Sequence, residues 1–280
     1  MRARRFGASS VELSPLTFGT MHLDERRLDD AACELLIRES LARGVTTFHS
    51  SSEYPAFGRF CGLVRHLRAE RRKMQHIVKL AEPHFGDAAF EEGRLRAKVD
   101  AYLAALAAPR IDIVQWMWRG DLKQEQERLA GFGRQREAIQ AAFDALRREG
   151  KIGAVATFPY TTGFADAMLS AHFGDGLAVY LNPIEQEMRG QVERAASMGA
   201  GVIAIRPLAA GQAAAAGIAA ATCLQEVLGR EGVSTAVVTY SSPEHLDELV
   251  RAVPAVKDRS ASAPASGPVG RWRRPPPSRS

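Results

Sequence analysis

Gly44-Val-Thr-Thr-Phe-His-Ser-Ser-Ser-Glu-Tyr54 is the stretch on which the fold reading turns. A short apolar strand over 46–50 runs out into a cluster of polar side chains, as a buried parallel strand does when its carboxyl end opens on a functional rim. Working outward, further strands are expected at 16–20, 76–80, 111–118, 152–158, 178–182, 202–207 and 234–240. Helical periodicity fills the intervals, over 29–43, 59–71, 88–106, 134–149, 163–172, 186–198, 221–230 and 243–250. Alternating strand and helix patterns imply a parallel sheet wound by crossover helices, and eight such units give a TIM (β/α)8 barrel. Ahead of them, Arg4-Arg5-Phe6 and Val11-Glu12-Leu13 flank a turn at 7–10 and read as a hairpin.

At 280 residues and 46% hydrophobic content the chain is long enough for one large α/β barrel or two modest domains, and composition alone does not decide; the strand and helix alternation favours one barrel over 1–256. The remaining residues, 257–280, are rich in Pro, Ser and Arg and are expected to be disordered, since they offer little apolar surface to offset their ordering entropy. The net charge of +5 belongs to that tail, where Arg259, Arg271, Arg273, Arg274 and Arg279 occur with no acid, leaving the body at 5 − 5 = 0. A neutral body with interleaved charges argues against a nucleic-acid partner. Cys33, Cys61 and Cys223 are isolated and odd in number, with no CxxC and no signal peptide ahead of them, so a reducing, cytoplasmic setting without disulfide or zinc is expected. No apolar run reaches the roughly 18 residues a membrane span needs.

In such a barrel chemistry gathers at the carboxyl ends of the strands. His49 to Ser51, Lys79, Met117 with Trp118 and Arg119, Phe158, Asn182, Arg206, and Tyr240 with Ser241 fall at those ends, with Tyr54 a few residues beyond the second. Lys79 interrupts an apolar strand end, Ile77-Val78-Lys79-Leu80, and reads either as a functional ammonium needing a partner or as a lysine snorkelling at a strand terminus. Tyr54 reads either as a phenol leaning over the barrel mouth, able to donate a proton, or as a packing residue. Arg206 suits a bidentate phosphate contact or an ion pair with Glu185. Residues 119–134 read as a long connection on the mouth side.

Residues 44–54 resemble the aldo-keto reductase motif Gly-Val-x-x-Phe-Asp-Thr-Ala-x-x-Tyr. The likeness continues, in the family's order, through Leu13-Ser-Pro-Leu-x-Phe-Gly-Thr20, Ile111-Asp112, Gly150-Lys-Ile152, Asn182-Pro-Ile-Glu185, Gly201-Val-Ile-Ala-Ile-Arg-Pro-Leu208 and Ser241-Ser-Pro-Glu-His-Leu246. The resemblance implies a TIM barrel with an N-terminal hairpin and NADP(H)-linked reduction of a small-molecule aldehyde or ketone. It implies Tyr54 as the proton donor and Lys79 as the lysine that tunes it. The family's aspartate position holds His49, and its histidine position, in a motif resembling Gln-Leu-His-Trp, falls on Met117 in Gln115-Trp-Met-Trp118, beside Trp118 in the substrate pocket. Histidine cannot serve Lys79 as an anion would, and a thioether has no hydrogen to donate to a carbonyl oxygen.

For the dinucleotide, the resemblance implies contacts at Thr20, Arg206, Leu208, Gly211, Ser241 and Glu248. It also implies losses: Phe158-Pro159 where a Ser-Asn pair holds the carboxamide, Ala178 for a glutamine, Ile205 for the stacking aromatic, and Thr239 for a glycine near a phosphate. Three readings follow: a reductase with impaired or altered chemistry, a barrel that has lost reductase activity and binds a ligand or partner, and an enzyme using His49 as acid or base without hydride transfer.

Overall fold

The computed structural model describes residues 1–24, 28–87, 89–120 and 122–255. The basic tail of the sequence reading, 257–280, and residue 256 before it lie outside the described residues. Strands β1 (Arg4–Arg5) and β2 (Glu12–Leu13) form an antiparallel hairpin. Then β3 (Leu16–Gly19), β4 (Thr47–Ser50), β5 (Gln75–Ala81), β6 (Ile111–Met117), β7 (Ile152–Thr157), β8 (Gly176–Tyr180), β9 (Gly201–Ile205) and β10 (Val233–Val238) pair in sequence order. All of these pairings are parallel, and β10 closes the ring on β3 through Ala236↔Leu16, Val237↔Thr17 and Val238↔Phe18. The expected eightfold barrel and its hairpin are both present.

The alternation of side chains sorts them into two compartments. Ile77, Ala81, Ile113, Met117, Ala154, Ala156, Ala178 and Ile203 fill the barrel interior. Their sequence neighbours Val78, Leu80, Val114, Trp116, Val155, Val179 and Ala204 pack outward under the helices. Those helices are α1 (Asp30–Ala42), α2 (Phe57–His66), α3 (Glu92–Leu106), α4 (Glu125–Arg148), α5 (Thr162–Ser170), α6 (Arg189–Ser197), α7 (Gln212–Ala215), α8 (Ala220–Gly229) and α9 (Pro243–Ala252). Their starts follow local chemistry: Asp29 accepts from Ala32 N at 2.7 Å, Thr161 from Phe164 N at 3.2 Å, and Ser242 from His245 N at 3.2 Å ahead of Pro243. Among the described residues no helix is long and apolar enough to cross a membrane.

Two expectations need correction. The connection at 119–134 is largely helical, because α4 begins at Glu125 rather than 134. Gly131 and Gly133 weaken the periodicity there, yet Gly131 lies where a Cβ would sit 3.1 Å from the Trp118 ring, so a breaker by propensity is here a contact surface. The helix expected over 59–71 stops at His66, since Leu67 takes ψ 55°, and a separate 3-10 turn follows at Glu70–Lys73.

The hairpin seals the amino-terminal end of the barrel. Phe6, Val11 and Leu13 join the interior cluster, Phe6 fully buried. Gly176 and Gly201 leave room for it: a Cβ on either would lie 2.7 Å and 2.5 Å from the Phe6 ring. Phe6→Ala is expected to destabilise the protein by about 3–5 kcal/mol, from lost burial plus the cavity left behind. Urea denaturation of the two proteins measures the difference.

Candidate active site

β4 and β5 lie side by side, and the loop after β4 folds back so that Tyr54 N donates to Ser51 O at 3.0 Å. Tyr54 thereby meets Lys79, whose Nζ stands 5.3 Å from the phenol ring centroid. The His49 and Tyr54 ring centroids are 6.1 Å apart. Lys79 occupies an inward position of β5, and its partly exposed ammonium donates to Glu53 Oε2 at 3.2 Å. Burial first and the Glu53 charge second push the Tyr54 phenol above its ordinary pKa.

Glu53, adjacent to Tyr54 in sequence, carries the ion network of the mouth. Arg119 Nη1 and Nη2 donate to its two oxygens at 2.7 Å each, a two-pronged contact across 66 residues of chain. Although burial works against the charged carboxylate, Arg119 and Lys79 hold Glu53 below the usual carboxylate range. Arg119 is itself fixed from other sides. Its Nε donates to Tyr160 Oη at 3.1 Å, its Nη1 donates to His84 Nε2 at 2.7 Å, and its guanidinium lies 5.2 Å from the Phe85 ring centroid. Tyr160 in turn donates to Met117 Sδ at 3.4 Å. The sequence places Arg119 at a strand mouth without assigning it a partner, and Glu53, beside Tyr54, carries no signal of its own there.

Deeper in the barrel, His49 is 4% exposed and its Nε2–H donates to Gln115 Oε1 at 3.0 Å. Burial lowers its pKa to about 4, the Gln115 bond opposing and the charge of Lys79 assisting. It is therefore neutral near pH 7, and Lys79 does not face a second cation. Met117 is 1% exposed and points inward, whereas Trp118 points the other way. Trp118 packs edge-on against Trp116 at 6.2 Å and Phe132 of α4 at 6.3 Å, in the layer beneath the helices. Its expected place in the substrate pocket is corrected by strand alternation, which puts 117 and 118 on opposite faces.

The opposite rim holds the positions expected near a dinucleotide. Phe158 contacts Tyr160 and Tyr180, with ring centroids 4.9 Å and 5.2 Å away. Arg206, with φ 55°, lies over the exposed Tyr180 ring at 4.3 Å, while its Nη1 stays 3.9 Å from Glu185. Asn182 Nδ2 donates to Glu185 Oε2 at 2.6 Å and to Arg206 O at 3.0 Å, tying the ends of β8 and β9. Leu208 is partly buried, and Gly211 caps α7 at φ 92° with open space where a Cβ would stand. Ser241 precedes α9 and Glu248 is exposed on it. Thr20 is fully buried with its hydroxyl donating to His49 O at 3.1 Å, and Thr239 Oγ1 donates to Gly19 O at 3.1 Å. Tyr240 turns away from the mouth, stacking on Phe18 at 4.5 Å and sharing a hydrogen bond with Ser40.

Residues 15–217 match the sequence profile of the Aldo/keto reductase family. The chain belongs to that family. A Pseudomonas aeruginosa structure assigned to the aldo-keto reductases superposes with a TM-score of 0.71 at 25% identity, covering 89% of this chain and 94% of that one. An aldo-keto reductase from Bacillus halodurans in its holo form gives 0.72 at 18% identity, covering 91% and 92%, which speaks for the fold. Among curated protein sequences no match is found.

Of the residues the resemblance singled out, Tyr54 and Lys79 share the mouth, and His49 and Met117 lie inside the barrel below them. The anion that His49 cannot supply to Lys79 comes from Glu53, on the loop rather than the strand. His49 and His76, whose pKa burial also lowers to about 4, stay neutral in the folded state but titrate near 6.5 when unfolded. The unfolded chain binds more protons between those values, so this part of the stability is present at neutral pH and lost as pH falls from about 6.5 towards 4. Each histidine accounts for on the order of 3 kcal/mol. His49→Gln is expected to shrink the loss of unfolding free energy between pH 7 and pH 4 by about that amount, measured by denaturant titration at both values.

Proposed function

We propose that this protein is a carbonyl reductase of the family type with altered chemistry, reducing a small-molecule aldehyde or ketone with NADP(H), and that Tyr54 gives the proton. The observation that carries the reading is the convergence of the Tyr54 phenol and the Lys79 ammonium at the barrel mouth, 5.3 Å from centroid to Nζ.

The residues present fit the dinucleotide unevenly but sufficiently. Arg206 is half exposed and only loosely paired with Glu185, 3.9 Å away, and Ser241 and Ser242 stand at the start of a ten-residue helix, where anions are favoured. Tyr180, which the sequence reading passed over, offers an exposed aromatic face beside Phe158, in compensation for Ile205. Phe158 and Pro159 give a carboxamide no polar side chain, and binding is accordingly weaker than a full set of contacts would provide. When bound, the dinucleotide supplies the hydride that reaches the carbonyl carbon.

The chain's own residues bind the carbonyl compound and deliver the proton. Tyr54 holds its proton throughout the neutral range and passes it to the carbonyl oxygen as the alcohol forms. A phenol pushed above its ordinary pKa is a poor match to neutral pH, and Met117 provides no donor to orient the oxygen, so turnover is slow. A second reading, a barrel that binds ligand without turnover, draws support from the Glu53–Arg119 contact across the mouth.

Titration of the protein with NADPH, followed by fluorescence, is expected to give saturable binding in the micromolar range, and absence of binding overturns the reductase reading. With a panel of aldehydes, Tyr54→Phe is expected to lower kcat/KM by about 10²- to 10⁴-fold. Binding without any turnover selects the second reading. Met117→His combined with His49→Asp is expected to raise kcat by about 10²-fold or more, as a restored donor does elsewhere.

A further inference from the structure

The mouth contains a carboxylate-binding site that the chain fills with its own side chain. Three contacts converge on the Glu53 carboxylate: two from Arg119 at 2.7 Å and one from Lys79 Nζ at 3.2 Å. The guanidinium is braced independently of Glu53, by Tyr160 Oη at its Nε and by the Phe85 ring on its face. Removing Glu53 would leave the fork pointing at the same place, because those braces remain. The Arg119 side chain is only 10% exposed, and a guanidinium so enclosed needs an anion. Glu53, by contrast, is 32% exposed and sits on the short loop after β4, where a swing towards water costs it little. Counting Arg119, Lys79 and Glu53, the cluster keeps one positive charge in excess, with neutral His49 adding none.

We infer that the substrate is a carbonyl compound bearing a carboxylate, which Arg119 grips in the place of Glu53 while Lys79 lies alongside. Glu53 then acts as an internal competitor: it keeps the cation pair satisfied in the free protein and yields to an incoming carboxylate. This deepens the reductase reading and rests on it for the word substrate, but the anion site itself stands on geometry alone. Arg119 is thus a specificity-determining residue. The hydride and the proton go where the family reaction sends them, and the carboxylate is unchanged by the reaction.

The test separates binding from turnover. Calorimetric titration of the full chain with succinate, and with uncharged succinamide as control, is expected to show succinate binding at least about 10-fold more tightly. Arg119→Met is expected to weaken succinate binding by about 10-fold or more while leaving the succinamide result unchanged. Arg119→Lys keeps the charge but loses the fork, so it weakens binding by a smaller factor and serves if Arg119→Met does not fold. Glu53→Gln removes the competitor and is expected to tighten binding by about 10-fold, as when a closed state holding roughly nine-tenths of the population is abolished. Equal affinity for succinate and succinamide, or affinity indifferent to both Arg119 variants, overturns the proposal. So does a Glu53→Gln variant that binds succinate less tightly than the natural chain. Because no dinucleotide is present, these outcomes do not depend on reductase activity. Succinate binding as expected, without reduction of a 4-oxo carboxylate aldehyde, would defeat the reductase reading alone.

Discussion

The pairing of β10 with β3 is the constraint on which everything else depends. Once Ala236 to Val238 join Leu16 to Phe18, every strand of the barrel has two neighbours, the ring has no open edge, and alternate side chains have only an inside and an outside to choose between. The Thr17 and Thr235 hydroxyls, 2.6 Å apart and fully buried, mark the seam with a polar contact. Closure is also what turns separate rows of residues into a site. Lys79 and Gln115 stand opposite one another on β5 and β6, and His49 reaches across to Gln115 from β4, because the ring curves them inward.

Within that ring the mouth solves an electrostatic problem locally. An inward lysine at the end of an apolar strand requires an anion, and the neighbouring strand offers only an imidazole held neutral by burial. The anion comes instead from Glu53, which must then serve Lys79 and Arg119 together. The same charge works against release of a proton from Tyr54. The mouth is therefore well ordered electrostatically while its phenol keeps its proton, a combination that follows from placing the carboxylate on the loop beside Tyr54.

Much of this was legible in the sequence because it depends on short-range patterns. Apolar runs of strand length at regular spacing gave the eight units, and the polar burst after 50 marked Tyr54, while the isolated charge in an apolar strand marked Lys79. The features that escaped depend on parity or on distance. Trp118 and Met117 are chemically plausible pocket residues side by side, and only the pleat separates them. Arg119 is recognisable in the sequence as a strand-mouth residue, but only the fold brings it to Glu53, 66 positions earlier. α4 was read short because glycine propensity says nothing of a Trp118 ring that needs a bare backbone to approach. The positions resembling dinucleotide contacts are divided by the fold: Arg206 stands exposed at the rim, whereas Thr20 is sealed beneath it.

Arg43, at the end of α1, forms ion pairs with Glu39 of its own helix and with Asp247 of α9, so the first and last helices of the barrel are clasped directly. Together with the β3–β10 seam, this means that the earliest part of the chain waits for the latest. During synthesis β3 can pair with β4 and β4 with β5, but the other edge of β3 has no partner until residues beyond 230 have left the ribosome. A nascent chain of this kind has to rely on transient collapse or on chaperones for most of its translation, and it commits to its final shape only near the end.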